Sequence, residues 1–311
     1  MPIGLNKADL KQGEGEYAII IRLGILFLCF AVMLIVASSI AVVVSGYFEK
    51  DTRWYYLSQN ICQCAVGFIG TAVAAAYFMS RRPWRFIGVD VPTGVNPYIG
   101  VLIVYLISIP ALDQLVLYNS EMRLPPCLSG IERWMRQMED SSAALTDIIL
   151  NDTTVSGLIS GILVIGILTG LAEELLFRGA LQRTLSTFPP LRHISMWIAA
   201  FIFSAVHLQF FGFFPRFVMG LFFGYLFYST GSIWPCVFAH ALNNSMVVVM
   251  KWLELRGCDL NAVFHKWGVV ESGFPIIPFI SLLLMILFFS LCYDRFFSAK
   301  SPVEDSRTKV L

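Results

Sequence analysis

Eight long apolar runs separate this chain from any soluble fold. They lie at Ile19–Tyr47, Tyr56–Met79, Val95–Tyr118, Ile148–Leu171, Ile194–His207, Phe214–Tyr228, Ile233–Met250 and Phe274–Tyr293, and the fourth continues through two adjacent glutamates. A bilayer core about 30 Å thick is crossed by about 20 mostly apolar residues in a helix. Hydrocarbon offers no water to backbone N–H and C=O groups, so each run must satisfy its own by coiling. Only 14% of the 311 residues are charged, against roughly 25% in a soluble domain, and the mean hydropathy is +0.71. The expected fold is all-α: a polytopic membrane bundle of about eight helices with its polar site inside. A net charge of +1 and no basic arm or patch exclude a nucleic-acid partner and leave the lipid bilayer as the first one.

The flanks of these runs suggest an orientation. Arg81, Arg82 and Arg85 follow the second run, Arg183 and Arg192 the fourth, and Arg295, Lys300, Arg307 and Lys309 the last. With eight spans all fall on one side, together with Lys7 and Lys11, which places both termini in the cytoplasm of a bacterial inner membrane. The polar stretch Met1–Tyr17 lacks the build of a cleaved signal peptide, so the first span reads as an uncleaved anchor. The opposite loops, Glu121–Asp147 and Lys251–Gly273, are mixed or acidic. In the former, Ile131, Trp134, Met135 and Met138 share one helical face and mark a short interfacial helix, an anchor or a lateral gate. Seven scattered cysteines form no metal-binding pattern; Cys127 and Cys258 fall in loops on one side, where a disulfide is conceivable. The pairs Gly157–Gly161, Gly166–Gly170 and Gly220–Gly224 read as close helix packing. The fifth and sixth runs are short and divided by Gly212 and Pro215, as in a tight or partly re-entrant pair.

Ionisable groups inside the runs carry the functional signal, because a charge in lipid is costly unless paired or used. Glu174 and Arg178, four apart, share a helical face and can pair. Glu173 is turned about 100° away and has no local partner. His207 ends the fifth run, four residues after Phe203; His240 and Asn244, also four apart, share a face of the seventh. At about 1.5 Å per residue, Glu173, His207 and His240 lie roughly 18, 21 and 12 Å into their helices, depths at which they can meet. The chemistry that fits is water activation: Glu173 as general base helped by His207, with His240 and Asn244 donating to an oxyanion. A silent scaffold and a Glu/His proton or cation relay are the alternatives.

Glu173-Glu174-x-x-x-Arg178, Phe203-x-x-x-His207 and His240-x-x-x-Asn244, in that order, resemble the three motifs of the CAAX prenyl protease type II family, part of the CPBP group of intramembrane proteases. The resemblance covers about Gly157 to Met250. It implies an eight-helix intramembrane endopeptidase, with Glu173, His207, His240 and Asn244 catalytic and Glu174, Arg178 and Phe203 supporting. It implies a membrane-associated or lipidated peptide substrate, with CAAX-type C-terminal processing as one form. A catalytically silent peptide-binding or bacteriocin-immunity protein of the same fold is the rival. No cofactor is expected; the alternative is zinc held by Glu173, His207 and His240 with one open position. On this reading residues 1–150 form the three N-terminal spans and the interfacial helix. Residues 151–255 form the catalytic core, and residues 256–311 the outer loop, last span and tail. The eight phenylalanines between Phe210 and Phe227 can line an apolar substrate groove.

Overall fold

The structure, a computed structural model, describes residues 16–188, 191, 193–258 and 276–297. The expectations for Lys7, Lys11, Arg192, most of the Lys251–Gly273 loop and the tail beyond Phe297 lie outside these residues. Among the described residues the chain is all helix: α1 (Glu16–Ser45), α2 (Arg53–Met79), the single turn α3 (Pro83–Phe86), α4 (Asn96–Ser120), α5 (Ser129–Leu150), α6 (Val155–Ser186), α7 (Ile194–Ala205), α8 (Phe213–Thr230), α9 (Trp234–Leu255) and α10 (Ile276–Phe296). Five segments are long and apolar enough to cross a bilayer: Ala18–Ser45, Arg53–Met79, Asn96–Ser120, Val155–Ser186 and Phe210–Thr230. The chain is a multi-pass integral membrane protein.

Two segments expected as full spans, α7 and α9, differ from that expectation. The helix α7 has 12 residues, about 18 Å. It is therefore shorter than a core about 30 Å thick. Among the described residues α10 covers the eighth run from Ile276 onward, with Ile276–Cys292 apolar. The helix α9 is longer than expected, running on to Leu255, and is too polar to count among the five. The interfacial helix is also longer than expected: α5 is a 22-residue amphipathic helix.

Local chemistry sets the joints. Thr154 caps α6 by accepting from the Gly157 N–H at 2.9 Å. Gly231 ends α8 with φ +69°, a left-handed conformation that glycine takes without a Cβ penalty. Arg53 ties the start of α2 to the α5–α6 loop through Ile149 O and Gly157 O, both at 2.8 Å, and Asp152 at 3.6 Å. Arg183 is no surface cation. It is buried, donates to Phe86 O at 2.8 Å and lies over the Phe227 ring.

The helix α6 lies at the centre, against α2, α7, α8 and α9. Its contact with α9 is made by glycine. A methyl on Gly161 would sit 2.8 Å from Val248, one on Gly170 3.1 Å from the Ala241 backbone, and one on Gly166 would run into Ser245. The glycine pairs thus do pack helices, and they bring the face of α9 that bears His240 and Asn244 onto the glutamates. In addition, α6 is wound in wide i→i+5 turns at Ile162–Leu168 and Leu175–Gln182, on either side of Glu173 and Glu174. Such turns free backbone carbonyls and are frequent at functional sites.

Candidate active site

The buried Arg178 is the fixed point of the site. Its Nη1 donates to Glu174 Oε1 at 2.7 Å and its Nη2 to Gly220 O at 3.0 Å. The guanidinium is sandwiched over the rings of Phe203 (4.6 Å) and Phe223 (5.3 Å), where a desolvated cation gains about 2 kcal/mol. Arg178 and Glu174 are both fully buried. The predicted pair therefore forms.

Glu174, however, does more than hold Arg178. The same Oε1 lies 2.7 Å from His240 Nδ1. A carboxylate oxygen that takes one short bond from a guanidinium accepts here too, so Nδ1 carries the ring proton. The ring is fixed further by stacking on Phe223 at 5.0 Å and by the edge of Phe203 at 5.7 Å. Glu174 thus orients His240 as well as pairing with Arg178, whereas the sequence had suggested only the second role.

Glu173 is buried, with its Oε2 3.6 Å from His240 Nε2. That is a contact between polar atoms and too long for a hydrogen bond. Two sequence-predicted residues therefore flank one imidazole, Glu174 on Nδ1 and Glu173 on Nε2.

His207 lies two residues beyond the end of α7, in the turn, with its ring 5.1 Å from Phe203. Its Nδ1 lies 2.7 Å from Phe203 O. A carbonyl only accepts, so Nδ1 holds the hydrogen and Nε2 of the neutral ring is a free acceptor. Among the described residues His207 makes no direct contact with Glu173; the two belong to one site through Phe203 and His240. Asn244 donates to Ile165 O at 3.3 Å, within the first wide turn of α6, and accepts from Asn243. One of its two N–H groups is thereby engaged and the other remains available.

The sequence reading missed further polar groups. Asn60, Cys64 and Thr169 form a cluster between α2 and α6: Thr169 donates to Asn60 Oδ1 at 3.2 Å, and Cys64 contacts both at 3.6 Å. The Cys64 thiol lies within electrostatic reach of Glu173. Arg216, at the start of α8, also lies within electrostatic reach of Glu173. The signal for Arg216 was available, since it is a cation within a phenylalanine-rich apolar run.

Among the described residues no three His, Cys, Asp or Glu side chains converge on one point, and both nitrogens of His240 face carboxylates. Cys127 and Cys258 are exposed free thiols, so the conceivable disulfide is absent.

Two apolar cavities flank the site. One of about 570 Å³ lies between α1, α2, α6 and α7 and includes Phe177, whose ring meets Phe203 at 5.2 Å. The other, about 450 Å³, lies between α4, α8, α9 and α10 and includes Phe223. The phenylalanine-rich run contributes Phe222 and Phe223 to it.

No curated protein and no solved structure matches the chain. A family model does, over residues 155–246, described as type II CAAX prenyl endopeptidase Rce1-like. The matched stretch begins at the start of α6, ends within α9, and contains all seven residues singled out from the sequence. Residues 155–246 of this multi-pass membrane bundle are therefore similar to the Rce1-like, type II CAAX prenyl endopeptidases.

Proposed function

We propose that the protein is an intramembrane endopeptidase in which Glu173 activates water. The observation that carries this reading is the division of labour between the adjacent glutamates. Glu174 is occupied by Arg178 and His240 at 2.7 Å each, while Glu173 has no hydrogen-bond donor in contact among the described residues. A carboxylate so placed is available to take a proton.

The reaction follows from these groups. The water oxygen attacks the peptide carbonyl carbon as its proton passes to Glu173. His207 Nε2, the free acceptor, takes the second hydrogen bond of that water. The carbonyl oxygen becomes an oxyanion and receives the free N–H of Asn244 and Nε2 of His240. Because Nδ1 already donates to Glu174, Nε2 becomes a donor by taking up the proton that Glu173, 3.6 Å away, has received from the water, and it hands that proton back to Glu173 on collapse. Collapse of the intermediate breaks the C–N bond, and Glu173 returns its proton to the leaving amine. No step uses a metal.

The substrate is a lipidated or membrane-associated peptide. The apolar cavities beside Phe177 and Phe223 suit a lipid chain next to the site, and the family description points to a prenylated one. The site sits in the membrane with both termini on the cytoplasmic side. Comparing peptides from membranes that hold the wild type and Glu173→Ala tests the reading. Fragments that appear only with the wild type name the substrate. Identical profiles would favour a silent peptide-binding protein of the same fold.

A further inference from the structure

Arg216 is a cation that the proposed mechanism leaves unused. It lies in the apolar segment Phe210–Thr230, where an ionisable group is expected to have a defined partner. Its Nη2 donates to Gln209 Oε1 at 2.6 Å and its Nη1 to Gln209 O at 3.4 Å. Gly212 leaves room for the guanidinium: a methyl there would sit 3.2 Å from Nη2. Gln209 is two residues from His207, so the turn that presents the catalytic imidazole also presents this cation. Glu173 and Glu139 act on it electrostatically. Neither touches it, and among the described residues no carboxylate does. Glu139 is instead engaged by the Phe211 N–H. Gln209 neutralises no charge, and part of the five-donor guanidinium fork stays open.

We propose that Arg216 binds the free C-terminal carboxylate of the peptide substrate and thereby makes the enzyme selective for bonds near a C-terminus. The inference rests on the protease reading above. A carboxylate matches the planar fork in geometry and charge. Arg216 and Glu173 lie within electrostatic reach of each other, so a C-terminus held at Arg216 lies close along the chain to the bond at Glu173. Arg216 is here a substrate-binding residue whose charge sets how far from the end the chain is cut.

The test uses the full chain in lipid vesicles with one prenylated peptide in two forms, a free C-terminal acid and the carboxamide. The wild type should favour the acid by about 10- to 100-fold in kcat/KM, the range for a charge-assisted contact. In Arg216→Gln the ratio should fall to about 1, and Arg216→Lys should retain part of it. Equal cleavage of both peptides by the wild type overturns the inference while leaving the protease reading intact. An unchanged ratio in Arg216→Gln overturns it as well: it would mean that Arg216 serves only as a counterion to Glu173 and Glu139. If Arg216→Gln fails to fold, the wild-type ratio and its reduction in Arg216→Lys decide. Cleavage of neither peptide by the wild type removes the protease reading itself.

Discussion

Replacing Glu174 should damage stability and catalysis by separate routes. Glu174 and Arg178 are both fully buried at 2.7 Å. In Glu174→Ala the Arg178 charge keeps the Gly220 carbonyl and the two aromatic faces but has no counterion left. Removing one partner of a buried pair is destabilising by about 3–5 kcal/mol. The cation–π contacts of Arg178 are present in both proteins and cancel, so the full loss of about 3–5 kcal/mol is expected. Glu174→Gln should be milder. Its amide oxygen can still accept from Arg178, so the loss is that of charge assistance, roughly 1–2 kcal/mol. Glu174→Ala also releases His240 Nδ1, and a misplacement of about 1 Å in a catalytic group costs on the order of 10² in rate. Reversible unfolding in mixed micelles measures the first effect and peptide cleavage in vesicles the second. If Glu174→Ala unfolds within 1 kcal/mol of the wild type, the counterion argument is wrong. If a folded Glu174→Ala cleaves at the wild-type rate, Glu174 does not orient His240.

Other outcomes follow from the same geometry. Asn244→Ala should fold and lose about 10²–10³ in kcat, the effect of removing one oxyanion donor; full activity would take Asn244 out of the reaction. Gly170→Val should push α9 from α6 and destabilise by about 1–3 kcal/mol, with His240 displaced from Glu174; an unaffected unfolding curve would contradict the close contact at Ala241. At the start of α5, Glu132 accepts from the Leu124 N–H at 2.9 Å and from Arg136. These bonds hold its carboxyl below the ordinary 4.5. A group with a depressed folded pKa stabilises above its unfolded value and loses that contribution as pH falls through the folded one. The anchored start of α5 should therefore loosen below about pH 4.5, seen as a change in emission from Trp134, which lies 5.2 Å from Phe210. Glu132→Gln should show the loosened emission at neutral pH; a flat emission profile into acid would refute the clasp.

Much of this arrangement was legible in residue order. The membrane helices follow from apolar runs and the backbone's need for internal hydrogen bonds. The Glu174–Arg178 pair follows from helical spacing, and the amphipathic helix α5 from the face shared by Ile131, Trp134, Met135 and Met138. The bond from His240 to Glu174 was not legible, because it depends on how closely α9 approaches α6. That approach is set by Gly161, Gly166 and Gly170, whose spacing announces packing without naming the partner helix. The end of α7 before His207 was equally hidden: the run stays apolar through Val206, and only the fold shows the imidazole sitting in a turn. Arg216 was missed for another reason. A cation among phenylalanines needs a use as much as the glutamates do, because any charge in an apolar run is costly unless paired or used.

The central claim is that Glu173, without a metal, supplies the base. The direct measurement is cleavage of a prenylated peptide by the full chain in vesicles, for the wild type and Glu173→Gln, each with a strong chelator and with elemental analysis of the purified protein. The account predicts chelator-resistant cleavage by metal-free wild type and none by a folded Glu173→Gln. Cleavage that survives Glu173→Gln, or that vanishes on removal of stoichiometric zinc, would contradict it.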